Sequence, residues 1–151
     1  ERFLEAAESG ALAAMSRIHV RVDCRDEEGE TALMEAAEEG HLEVVRWLLD
    51  QGARPNLHDD KGETALIEAA EEGRREVVAL LLDRGAIIDG HDHRGRTALM
   101  KAVMEGHTEV VALLLQRGAA VGLIDNQGRS AVDLAAGNQA VLDLLRRRGG
   151  N

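Results

Sequence analysis

One period runs through this chain. Gly29, Gly62, Gly95 and Gly128 stand 33 residues apart, and Thr31, Thr64, Thr97 and Ser130 keep the same step. Gly40, Gly73 and Gly106 repeat it, as do Gly52, Gly85 and Gly118. Four registers agreeing on one spacing restrict the fold to an array of stacked supersecondary units. A length of 151 residues would also permit one compact core, but the composition does not favour it. One Trp, one Phe and no Tyr leave the interior to Ala, Leu, Val and Gly, which suit similar helices packed at close spacing. With 44 % hydrophobic residues and a single Pro, the chain is too apolar for disorder.

Each period reads as a turn followed by two helices. Asp26-Glu-Glu-Gly29 is a turn sequence, its Gly available for positive φ. Thr31 suits an N-cap, its hydroxyl accepting from a free backbone amide. Ala32 to Glu39 is a short helix stopped by Gly40. His41 to Asp50 is a second helix, with Val44, Val45, Leu48 and Leu49 as its apolar stripe. Gly52 ends it, and an extended stretch leads to the next turn. Neither helix is long enough to persist alone in water, so each unit must bury its apolar face on a neighbour.

The run Gly29-Glu-Thr-Ala-Leu-Met-Glu-Ala-Ala-Glu-Glu-Gly-His41 resembles the ankyrin signature G-x-T-P-L-H-x-A-A-x-x-G-H, and Glu43 to Ala53 is similar to its second half. The resemblance covers essentially the whole chain. It implies an all-α solenoid with short hairpin-like turns: a partial capping unit at 1–25, full units at 26–58, 59–91 and 92–124, and a shortened capping unit at 125–151. Two departures from the family pattern matter. The family's Pro is Ala32, Ala65, Ala98 and Ala131, and Ala is the best helix former. The family's His is Met34, Ile67, Met100 and Asp133, so its usual Thr–His hydrogen bond is expected to give way to apolar packing. Arg146-Arg147-Arg148 keeps the last helix polar at its tip, where positive charge also suits the helix dipole.

Cys24 is the one cysteine, so no intramolecular disulfide or Cys-based zinc site can form; it is read as a small residue near a unit's end. Apolar runs such as Val77 to Leu82 fall far short of about 20 residues, the length needed to span a bilayer. The chain opens at Glu1 without a signal-like segment, so a fragment or processed form in the cytosol or nucleus is expected. Net charge is −10 and unevenly spread. Residues 1–91 carry 22 Asp/Glu against 10 Lys/Arg, whereas residues 92–151 carry 6 against 8. Such acidity repels phosphate backbones, which disfavours nucleic acid as a partner.

In ankyrin proteins the turn tips and outward positions of the first helix line a concave surface that contacts partners. The resemblance assigns that role to Glu27, Glu28, Glu30, Glu38 and Glu39 in the second unit. Asp60, Lys61, Glu63, Glu71 and Glu72 follow in the third, and His93, Arg94, Arg96, Met104 and Glu105 in the fourth. Glu8 and Ser9 in the first unit, and Asn126, Gln127 and Arg129 in the fifth, extend the surface. Glu43, Glu76 and Glu109 open second helices, where the dipole favours them. Glu38-Glu39 and Glu71-Glu72 close first helices, where it does not. Glu35 with Glu39 and Glu68 with Glu72 are like-charge i,i+4 pairs costing about 0.2–0.5 kcal/mol each. Acid kept where local physics disfavours it marks a binding face, against the alternative of solvated charge duplicated with the repeat.

Other features read as structural. His58 and His91 share one register and His93 is near, but helix-packing distances of about 8–10 Å would keep histidines of adjacent units from sharing a metal. His41 and His107 match the family's Gly-His turn, and Trp47, Met34 and Met100 read as core. Ser9, Ser16 and Ser130 lack a nucleophile-elbow context, and the carboxylate pairs lie on exposed helices without an apolar pocket to raise one pKa. The expectation is a monomeric, non-enzymatic adaptor without cofactor or metal, binding a protein partner with a basic segment. Two alternatives stay open. Thr31 to His41 is similar to repeats of the oligoadenylate-sensing ribonuclease family, which implies a ligand-sensing module using Arg94, Arg96, Lys101 and Arg129 within a longer chain. A designed, consensus-derived scaffold is the other.

Overall fold

The computed structural model describes residues 22–149. Most of the expected first capping unit, with Glu8, Ser9 and Ser16, lies outside the described residues. The described chain holds eight α-helices in four pairs: α1 (Ala32–Glu39) and α2 (Leu42–Asp50), α3 (Ala65–Glu71) and α4 (Arg75–Asp83), α5 (Ala98–Glu105) and α6 (Thr108–Gln116), α7 (Ala131–Leu134) and α8 (Gln139–Gly149). None is long and apolar enough to cross a membrane.

The caps fall where the sequence puts them. Thr31, Thr64, Thr97 and Ser130 are extended, and each side chain accepts from the backbone amide three residues on. Gly40 and Gly106 close α1 and α5 in the left-handed region, at φ 76° and 74°. The loss of the family's His is made good in a way not foreseen. The Thr31 amide donates to Met34 Sδ at 3.4 Å, and the Ser130 amide donates to Asp133 Oδ2 at 2.9 Å. A thioether and a carboxylate thus supply the acceptor at two positions. Ile67 has no such atom, and α3 keeps only the one-way cap.

Stacking is carried by columns of equivalent residues. Ala36, Ala37, Ala69, Ala70 and Ala102 are fully buried, and such small side chains let the first helices pack more closely than the second helices do. Closer packing on one side curves the stack toward the first helices. Val45, Val78 and Val111, with Leu48, Leu81 and Leu114, form the other ribs of one continuous core. Met34 and Met100 are core residues, and Trp47 packs against the core while half-buried.

Polar columns fix the register. Asp26, Asp59, Asp92 and Asp125 each use Oδ1 to accept two amides of their own turn, as Asp59 does from Lys61 and Glu63 at 2.9 Å each. Adjacent turns are then stitched by Asp60 N–H to Glu28 C=O, His93 to Lys61 and Asn126 to Arg94. At the opposite end Asp23, Asn56 and Asp89 accept from the amides of Arg54, Ile87 and Ala120. Arg84–Asp50 and Arg117–Asp83 tie successive second helices at 2.7 and 2.9 Å.

Candidate partner-binding face

Turn tips and first helices share one face, and the expected contact residues divide there into exposed and half-buried sets. Glu27, Glu28, Glu39, Asp60, Lys61, Glu72, His93, Arg94, Met104 and Glu105 are exposed. Glu30, Glu38, Glu63, Glu71 and Arg96 are half-buried. Among the described residues, three depressions lie along this face. The first, about 240 Å³, is lined by Glu30, Glu38, Lys61, Glu63, Glu68, Glu71 and Glu72. The second, about 500 Å³, is lined by Asp60, Lys61, Glu63, Glu71, Asp92, His93, Arg94 and Lys101. The third, about 380 Å³, is lined by Arg94, Arg96, Asp125, Asn126 and Gln127. Glu27, Glu28, Glu39, Met104 and Glu105 line none of these three.

Electrostatics change sign of balance along the face. Around the first depression, burial and the charges of Glu30, Glu72, Glu39 and Glu71 raise the Glu38 carboxyl. Glu30 is pushed up to about 8, first by a hydrogen bond with Glu35, then by burial and by the charges of Glu35, Asp26 and Glu28. Glu68 is only 5 % exposed. Burial, then the charges of Glu30, Glu38, Asp59 and Glu63, push its carboxyl up to about 10. The expectation that no carboxylate here has its pKa raised by its surroundings is therefore overturned. The periodicity of an isolated helix does not show this, because Glu30 and Glu38, two of the charges acting on Glu68, belong to the preceding unit.

One unit further the same position is Lys101. Its side chain is 11 % exposed, and its ammonium lies 3.1 Å from Glu63, 3.6 Å from Asp92 and 3.7 Å from Glu71. Burial alone would lower this pKa; the bond to Glu63 and the three negative charges raise it on balance. Arg96, expected to point outward, is instead drawn to Asp125 Oδ2 at 3.5 Å, its side chain 13 % exposed. Arg129 reaches the same oxygen at 3.3 Å. The Asp125 carboxyl is held low by the Arg129 amide, the Gln127 amide and the Arg129 and Arg96 guanidinium groups, against its own burial. Of the four cations that an anionic ligand would need, only Arg94 has no ion pair among the described residues.

The histidines also differ from expectation. His58 and His93 meet edge to face with ring centroids 6.0 Å apart, closer than helix spacing, because neither lies on a helix: His58 pairs with Thr64 in an isolated bridge and His93 sits in the next turn. His58 and His91 each place Nδ1 3.1 Å from the next residue's carbonyl. His107 donates to the Glu71 carbonyl at 2.8 Å, and Arg74 in the same register donates to that of Glu38 at 3.0 Å, so this turn position ties one unit to the last turn of the preceding first helix. Cys24 is exposed.

The family profile described as ankyrin repeats (3 copies) matches residues 3–92 and 86–151. Among individual proteins, ankyrin repeat domain-containing protein 29 of Danio rerio is 48 % identical over 56 residues, and its Homo sapiens counterpart is equally similar over the same length. Each match covers 34 % of this chain and only 19 % of the relative.

Proposed function

Because the chain belongs to the ankyrin-repeat family, whose repeats are generally protein–protein interaction modules, we propose that it binds a partner protein along its turn-and-first-helix face, and that this partner lays a basic segment across the second and third units. The observation that carries this reading is the first depression, where six glutamates gather around a single lysine. An incoming Lys or Arg meets the charges of Glu38, Glu63, Glu71 and Glu72 there, and its own charge would favour ionisation of Glu30 and Glu68, raised to about 8 and about 10. The surplus is densest around Glu30, Glu38, Glu68 and Glu72, since Lys101 already answers Glu63 and Glu71, and Arg96 and Arg129 answer Asp125 in the fifth unit. That pairing also speaks against an anionic ligand on Arg94, Arg96, Lys101 and Arg129. The role that follows is an adaptor, with binding and no chemistry of its own.

A fluorescent Lys/Arg-rich peptide, beside a composition-matched Asp/Glu-rich one, tests the reading by anisotropy in metal-free buffer. Binding of the basic peptide should weaken with added salt. It should weaken further when Glu38, Glu39, Glu71 and Glu72 are changed together to Gln. Equal binding of the two peptides, or of parent and variant, would refute it.

A further inference from the structure

The repeat allows junctions 33 residues apart to be compared atom for atom, and one of them is unlike the next. Where the fourth unit meets the third, Glu63, Glu71 and Asp92 surround the Lys101 ammonium. One unit earlier the equivalent carboxylates are Glu30, Glu38 and Asp59, and the equivalent of Lys101 is Glu68. Carboxylate oxygens of Glu30, Asp59 and Glu68 all lie within 4.8 Å of one another. Glu68 is 5 % exposed, sits in this cluster, and its Oε1 has no hydrogen-bond partner. No Lys or Arg among the described residues forms an ion pair with Glu30, Glu38, Asp59 or Glu68.

We propose that Glu30, Asp59 and Glu68 form a binding site for a hard divalent cation, with Ca²⁺ as the ion whose dimensions fit. Three arguments support it. The donors are all carboxylate oxygens, the ligand class that hard ions take. Ca–O distances of about 2.3–2.6 Å allow oxygens of one shell to lie up to about 5 Å apart, the range in which these three fall. Mg²⁺, at about 2.0–2.1 Å, requires a tighter set. Charge gives the third argument. Once an ion has displaced its proton, Glu68 differs from Lys101 by two charge units, and one divalent ion restores the balance of the neighbouring junction. The ligands are also held in place. Asp59 commits Oδ1 to the amides of Lys61 and Glu63, as Asp92 commits its own Oδ1 while turning Oδ2 to Lys101. The adjoining 240 Å³ depression has room for waters to complete the shell. The site would tie the second unit to the third, as Lys101 ties the third to the fourth. This inference does not rest on the proposed basic partner.

Calorimetric titration and thermal melts of the metal-stripped chain with CaCl₂, at ionic strength held constant with NaCl, test it. One ion should bind per chain, and about 1 mM Ca²⁺ should raise Tm by about 2–5 °C. Mg²⁺ should do less. Glu68→Lys, which copies the Lys101 arrangement, and Glu68→Gln, which keeps the shape, should each lose more than half of the shift. Glu76→Gln on the exposed start of α4 should keep it. No shift with Ca²⁺ in the parent, or a shift that survives in Glu68→Gln, would overturn the site; a fold-disrupting Glu68→Lys leaves that second comparison decisive.

Discussion

Burial and the charges of Glu30, Glu38, Asp59 and Glu63 hold the Glu68 carboxyl at about 10, against an ordinary 4.5. In metal-free buffer the folded state then keeps a proton that the unfolded chain releases. The stabilisation is complete below the unfolded pKa and is lost as pH rises through the folded one. Glu30, raised to about 8, acts in the same sense and has lost most of its share by that pH. Glu68→Gln cannot ionise, so its advantage over the parent should grow from about pH 5 to about pH 9, reaching about 1–3 kcal/mol in denaturant melts. An advantage that shrinks with pH would contradict the burial of this group. The register partner gives the opposite sign. Lys101→Met leaves Glu63, Glu71 and Asp92 without their cation and should cost about 3 kcal/mol.

At the scale of single elements the sequence is legible where backbone geometry demands particular residues. Thr or Ser before each first helix and Gly after α1 and α5 mark ends that the structure reproduces within a residue. Thr97→Ala should remove the bond to the Met100 amide and cost about 0.5–2 kcal/mol by thermal or chemical unfolding. The candidate site was less legible. Glu30, Glu38, Glu71 and Lys61, which the sequence assigns to the face, line the first depression, whereas the sequence marks Glu68 only as a like-charge neighbour of Glu72. Glu30 of the adjacent unit joins Asp59 around it, and a single helix's periodicity carries no record of that neighbour. Aligning the repeats as columns exposes the signal: Glu35, Glu68, Lys101 and Leu134 share one position, which passes from acid to base to apolar along the array. Arg96 was misplaced for the same reason, because Asp125 belongs to the next unit.

Across the whole molecule, stability and the proposed recognition separate onto different parts of the array. Nearest-neighbour stacking makes an interior fault costly. Leu81→Ala, at a fully buried position of α4, should lose about 2–5 kcal/mol. Arg147→Ala, exposed on α8, should lose almost nothing; equal losses in chemical denaturation would contradict the stacked core. In the proposed reading recognition depends instead on where cations are absent: Glu30, Glu38, Asp59 and Glu68 have no ion pair among the described residues, whereas Glu63, Glu71 and Asp92 share Lys101 and Asp125 has Arg96 and Arg129. Association kinetics separate this from a general effect of net charge. The Lys/Arg-rich peptide is mixed with the parent, with the Glu38/Glu39/Glu71/Glu72→Gln variant, and with a Glu43/Glu76/Glu109→Gln variant, at low and high salt in metal-free buffer. Acidic recognition predicts slower association for the first variant at low salt, a gap that closes at high salt, and near-parental rates for the second, whose charges lie on second helices. Equal slowing of the two variants, or none in the first, would show that the glutamates of this face are solvated surface and not a binding site.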